Sequence, residues 1–279
     1  MQTIVEFLST IHPPRNYQNI DSLNLVADFI KNNFDLAKLN GYFQEFEIDK
    51  TIYKNVVGVL NPHIGKRIII GAHYDACGNM PAADDNASAV AVMIECARQL
   101  SKLKEKINCR IDFVAFTLEE PPYFGTSNMG SYIYAQNLFD EKAEVELMIN
   151  LEMVGYFTDE PNSQKYPFAF MKYFYPSTGN FIAVVSNKFS KPEGTKLHKS
   201  LENGMESVSV TLPTFLQDVT QSDNINFWGF GFKSVMITDT AYYRNPNYHK
   251  STDTIDTLSF NKMQKVADGI ARYIQSAFK

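Results

Sequence analysis

Five short groups of side chains in this sequence are of types that could do chemistry together: His73-Tyr74-Asp75, Asp84-Asp85-Asn86, Glu119-Glu120, Glu152 and Tyr248-His249. Singly, each has an ordinary explanation. A His-x-Asp is commonly a surface hydrogen bond, and an Asp-Asp pair ahead of a helix is commonly a cap and its neighbour. Paired glutamates after a strand are commonly solvated. Glu152 fits that pattern least, because it ends the apolar run Leu147-Met148-Ile149-Asn150-Leu151, where an unpaired carboxylate is costly to bury. Together the groups supply imidazole and carboxylate donors, a set suited to zinc, whereas all-oxygen donors suit magnesium or calcium. Charge counting favours a pair of ions. Two zincs bring four positive charges, Asp85, Glu120 and Glu152 bring three negative ones, and a hydroxide brings the fourth. Two such ions ~3.5–4 Å apart can activate a water and polarise a carbonyl. The chemistry expected is metal-assisted hydrolysis.

A strand signal stands ahead of three of these groups. Residues 67–72, 111–116 and 147–151 are short and almost wholly apolar, as central strands buried on both faces are. Further strands are expected over 42–48, 55–60, 181–185, 207–212 and 234–238. Helices are expected over 88–100, 129–139, 194–203 and 261–278. Asp21 is expected to cap another, with Leu23, Val26, Phe29, Ile30 and Phe34 on one face. Strands alternating with helices predict an α/β fold of three layers, α/β/α, around a mixed, mostly parallel sheet. The absence of repeats and linkers predicts a single domain over residues 1–279. In such sheets ligands gather beyond the carboxyl ends of the strands, which is where the reactive groups fall.

Composition narrows the partners. The chain has 279 residues, 44% hydrophobic and 20% charged, with a net charge of -5 and no Lys/Arg-rich run. That balance gives no electrostatic reason to expect nucleic acid or an anionic membrane, and no apolar stretch approaches the ~20 residues of a membrane span. Residues 1–11 are amphipathic without a basic start, unlike a signal peptide. Cys77, Cys96 and Cys109 form no disulfide framework and fit a reducing compartment. The compartment expected is the cytoplasm, although a secretion signal trimmed beforehand would leave the same sequence. The sequence does not indicate an oligomeric state. Asn86-Ala87-Ser88 matches a glycosylation acceptor, a pattern common by chance.

In order, His73-Tyr74-Asp75, Asp84-Asp85-Asn86-Ala87-Ser88, Glu119-Glu120, Glu152 and His249 resemble the ligand motifs of the co-catalytic zinc aminopeptidases. That family also includes glutamate carboxypeptidases and glutaminyl cyclases. The resemblance implies that His73 and Glu152 bind one zinc, Glu120 and His249 the other, and that Asp85 bridges them. It implies that Asp75 orients His73, that Glu119 is the general base, and that the substrate is a peptide with a free amino terminus. Tyr248 is expected either to hydrogen-bond the developing oxyanion or to pack over the site. Asp84 is expected to be structural, Asp253 either a residue supporting the ligands or, in preference, a simple turn residue, and Cys77 a buried structural thiol. The aromatic stretch 156–175, Phe170 and Phe174 included, is expected to rim the substrate pocket or to pack on the sheet edge. Two features depart from the family pattern: Asn224 stands where a His is common, and Pro121-Pro122 follows the glutamates. Three rival readings remain. One is a glutaminyl cyclase using a single zinc. Another is a carboxypeptidase, for which no basic pair is identifiable. The third is a non-catalytic binding domain, weakened by the intact ligand set.

Overall fold

Apolar strands with no polar alternation need cover on both faces, and the sheet has it. The structure, a computed structural model, describes residues 1–214 and 222–279. Eight strands, β1 (Asn40–Ile48), β2 (Thr51–Leu60), β3 (Arg67–His73), β4 (Arg110–Phe116), β5 (Val145–Glu152), β6 (Ile182–Ser186), β7 (Ser207–Thr211) and β8 (Ser234–Thr238), form one sheet. Their order is β1-β2-β4-β3-β5-β8-β6-β7. The central strands β4, β3, β5 and β8 pair in parallel, while β2 joins β4, and β6 joins β8, antiparallel. The sheet is mixed with a parallel centre, as its sequence pattern predicts.

Alternate residues of each central strand enter different cores. Ile68, Ile70 and Ala72 of β3, with Leu147, Ile149 and Leu151 of β5, face the larger core. That core is completed by α1 (Gln2–Thr10), α2 (Ile20–Leu36), α3 (Ala89–Ser101), α5 (Lys191–Glu202) and α7 (Phe260–Ala277). Ile69 and Met148 face the opposite core with Tyr134 and Leu138 of α4 (Gly130–Asp140) and Phe227 of α6 (Asn224–Gly229). Each fully buried aliphatic side chain contributes about 1.5–3 kcal/mol of transfer free energy. A side chain at Gly71 would run into the Phe116 ring, so glycine lets that ring lie across β3. At β6 and β8 a third, smaller cluster of Phe181, Ala183, Val185 and Met236 lies on the side of the sheet opposite Val184 and Ile237, which face the larger core.

Several element ends differ from expectation for local reasons. α2 begins before Asp21, with Asn19 at the cap position and Asp21 in its first turn. Asn19 makes no side-chain capping bond, and its amide donates to the Pro14 carbonyl at 2.7 Å. Residues 1–11 contribute a helix, α1, that buries Ile4, Val5 and Leu8. α3 starts after a π-helical turn over Ala83–Ser88, inside which Asp85 and Asn86 leave helical geometry. The six-residue α6 is too short to leave a periodic signal. Among the described residues no helix is long and apolar enough to cross a membrane.

Candidate active site

The sheet delivers the reactive groups to one end. His73 is the last residue of β3 and Glu152 the last of β5, while Glu119 and Glu120 stand just beyond β4. His73 is fully buried. Its Nε2 lies 3.4 Å from Asp85 Oδ1, 3.5 Å from Glu152 Oε2 and 3.7 Å from Glu119 Oε2. The other Asp85 oxygen, Oδ2, is 3.1 Å from His249 Nε2, which in turn is 3.3 Å from Glu120 Oε2. One buried carboxylate therefore sits between two imidazoles, each with its own glutamate. The structure brings His73, Asp85, Glu119, Glu120, Glu152 and His249 together.

Two further carboxylates hold the loops that carry them. Asp75 accepts hydrogen bonds from the amides of Glu119 and Glu120, both at 3.1 Å. It also faces His73 Nδ1, at 3.6 Å. Asp253, expected in a simple turn, is a buried clamp: it accepts from the amides of Asp84 at 2.9 Å and Asp85 at 3.1 Å. The partners are separated by 168 and 169 residues, so nothing local signals the pairing. Asp84 is structural, accepting from the Gly155 amide and the Asn245 side chain. Ser222, to which the sequence reading gave no role, donates to Glu152 Oε2 at 2.6 Å. Asn86 is buried and bonded to the Leu151 carbonyl and the Met153 amide, which closes it to glycosylation. Asn224, in the position where a His is common, is buried 3.5 Å from the Asn150 amide. Asp239 follows β8 and accepts from the Tyr156 and Ala241 amides, and its place after a strand end was the signal available for it.

Acid outweighs base in this cluster. Burial, opposed by His73 and reinforced by Glu152 and Glu120, raises Glu119 well above the usual carboxyl range. Burial and Asp85 push Glu120 up to about 7. Burial would raise Asp85 as well, but the facing His249 and His73 hold it below its ordinary value. Burial would lower the histidines; instead Glu119 and Glu152 raise His73 well above its usual value, and Asp85 and Glu120 lift His249 to about 10. Both ring nitrogens of His73 and Oε1 of Glu120 are buried without a hydrogen-bond partner. Donor atoms of His73, Asp85 and Glu120 lie within 4.8 Å of one another, and so do those of His73, Glu119 and Glu152. Unpartnered buried donors with imidazole and carboxylate chemistry fit divalent cations.

An apolar cavity of about 100 Å³ adjoins the cluster, with Glu152 among the residues that line it. Phe181, Ala183, Val185 and Met236 form its floor, and Tyr166, Met171 and Tyr248 line it too. The aromatic stretch thus reaches the cavity through Tyr166 and Met171. Phe170 and Phe174 do not line it; they are 59% and 77% exposed, because the turn from Ala169 to Tyr173 buries only Met171. Tyr248 stacks on the His249 ring, with centroids 3.8 Å apart. Cys77 is half-buried and lies beside Glu120 and His249, where burial and the charges of Glu120 and Asp85 push its thiol up to about 12.

Known proteins resemble this chain in sequence and in fold. The protein YfbL of Escherichia coli (strain K12) is 38% identical over 279 residues, covering 96% of this chain and 84% of its own. The aminopeptidase YwaD of Bacillus subtilis (strain 168) is 27% identical over 232 residues, covering 81% of this chain and 45% of its own. Among solved structures, the LapA aminopeptidase of Legionella pneumophila superposes with a TM-score of 0.77 at 18% identity, covering all of this chain and 72% of its own. A glutaminyl cyclase of Porphyromonas gingivalis gives 0.75 at 19% identity, covering 99% and 96%. These structural likenesses show the fold. A model of peptidase family M28 matches residues 55–274. Since that match runs from within β2 almost to the end of α7 and takes in every residue of the buried cluster, the chain belongs to peptidase family M28.

Proposed function

We propose that this protein is an aminopeptidase that uses two zinc ions to remove large apolar residues from the amino ends of peptides. As a family member the chain is a zinc metallopeptidase; the pair of ions, the amino-terminal specificity and the residue roles belong to the proposal. We read residues 1–279 as one catalytic domain, in support of which all eight strands among the described residues belong to one sheet. The observation that carries the reading is Asp85 between two imidazoles, each beside its own glutamate. In this reading His73 and Glu152 hold one ion, Glu120 and His249 the other, and Asp85 is shared. Bound there, the ions supply Lewis acidity to a carbonyl and acidify a water.

The chain's own groups do the rest. Glu119 reaches into the cluster, and its raised affinity for protons suits a base that accepts one from the attacking water. It then passes that proton to the leaving amine nitrogen. Asp75 and Asp253 fix the backbone of the two ligand-bearing loops, so Glu119, Glu120 and Asp85 are set before substrate arrives. Tyr248, fixed by its stacking on His249, is the proposed donor to the developing oxyanion. The first side chain of the peptide enters the apolar cavity, and its free ammonium meets the carboxylates around Glu152.

Zinc-loaded protein should release Leu or Phe from unblocked peptides and leave amino-acetylated ones intact. Equal cleavage of both would refute the amino-terminal reading. Cyclisation of amino-terminal glutamine without net hydrolysis would replace it with a cyclase.

A further inference from the structure

Cys77 has no part in the mechanism above, yet its sulfur stands among the groups assigned to the second ion. Its Sγ, a Glu120 oxygen and a His249 nitrogen lie within 4.8 Å of one another. Glu120 is 5% exposed, and its Oε1 is without a hydrogen-bond partner there. Cys96 and Cys109 are fully buried in the large core, so Cys77 alone of the three cysteines has any exposure.

The loop that presents Cys77 is fixed from both ends. The buried Arg15 guanidinium donates to the carbonyls of Tyr74, Pro81 and Ala82 at 2.7–2.9 Å. The Arg15 carbonyl accepts from the Ala76 amide at 3.0 Å, and the Met80 amide donates to the Cys77 carbonyl at 3.2 Å. A thiol held in this way beside two metal-binding side chains is positioned for coordination.

We propose that Cys77 is a further protein ligand, as thiolate, to the ion assigned to Glu120 and His249. The inference rests on the two-ion reading and adds a donor that its carboxylate and imidazole set does not contain. On binding, the S–H bond breaks, its electron pair forms the metal–sulfur bond, and the proton leaves to solvent; nothing is oxidised or reduced. The two ions then sit in unlike surroundings, one with nitrogen and oxygen donors and the other with sulfur added. Soft thiolate favours zinc, and by the same chemistry cadmium and cobalt, over magnesium, calcium or manganese.

Cobalt(II) titration of the metal-free protein tests this, because a cobalt–thiolate bond gives a near-ultraviolet charge-transfer band that nitrogen and oxygen ligands do not. The wild type should take two cobalt ions and gain the band with only one of them. Cys77→Ser and Cys77→Ala, checked for folding by circular dichroism, should lack the band. They should hold their weaker ion at least about tenfold less tightly, the low end of the loss from removing even an outer partner. Two cobalt ions without the band would overturn the Cys77 assignment and leave the two-ion reading standing. One ion with the band would support Cys77 and overturn the pair. One ion without it would overturn both.

Discussion

Asp253→Asn tests whether the ligand loops are held by buried carboxylates. In the wild type, Asp253 is 1% exposed and accepts from two consecutive amides at 2.9 and 3.1 Å. Asparagine has the same shape but only one oxygen, so its NH2 must face one of those amides. One hydrogen bond to a charged acceptor, about 1.5–3 kcal/mol, is lost, and a buried donor is stranded at about 1–3 kcal/mol. Part of this loss is recovered, because burial and the repulsion of Asp84 push the Asp253 carboxyl up to about 7, and asparagine escapes both. A net loss of about 2–3 kcal/mol follows, and at roughly 2–4 °C per kcal/mol the midpoint falls by roughly 4–12 °C. Thermal melts should be run on metal-free protein in chelator, because bound ions add their own stabilisation. The loosened turn carries Asp85, so zinc affinity should fall as well. A melt within 1 °C of wild type, with unchanged zinc affinity, would refute the clamp.

Other expectations follow from the same geometry. Glu119→Gln should lower kcat about 10²–10⁴-fold with metal content unchanged, and loss of metal instead would make Glu119 a ligand. Tyr248→Phe should lower kcat with little change in KM, whereas unaltered kcat would leave the ring a packing role only. Ala183→Phe puts a ring into the cavity floor, so turnover of Leu and Phe substrates should drop well below that of Ala substrates; an unchanged preference would place the specificity pocket elsewhere. Metal binding should release protons. His249 keeps its proton up to about pH 10 and Glu120 up to about 7 in the metal-free protein, and both must lose it to coordinate. Affinity should therefore weaken as pH falls, and calorimetry at pH 7.5 in buffers of different ionisation enthalpy should register the release. A buffer-independent heat would contradict it.

Much of this was legible because the strong signals are local. The apolar runs that became β3, β4 and β5 betray burial on both faces, and the ligand types follow directly after them. What stayed hidden depends on contacts between distant residues. Asp253 looks like any acidic turn residue until its partners, Asp84 and Asp85, are seen 168 to 169 residues away. Ser222 reaches Glu152 across 70 residues. The Arg15 clamp has no signature of its own, since an arginine after two prolines reads as a solvated loop. The Phe170 and Phe174 expectation failed because aromatic composition marks a segment without saying which face its turn buries; the cavity takes Met171.

Metal content per chain tests the central claim most directly. Protein loaded with zinc, freed of excess ion and assayed by atomic emission should carry two zincs per chain. A single zinc would contradict the shared role of Asp85, and none would leave the buried acid cluster without the cations this account assigns to it.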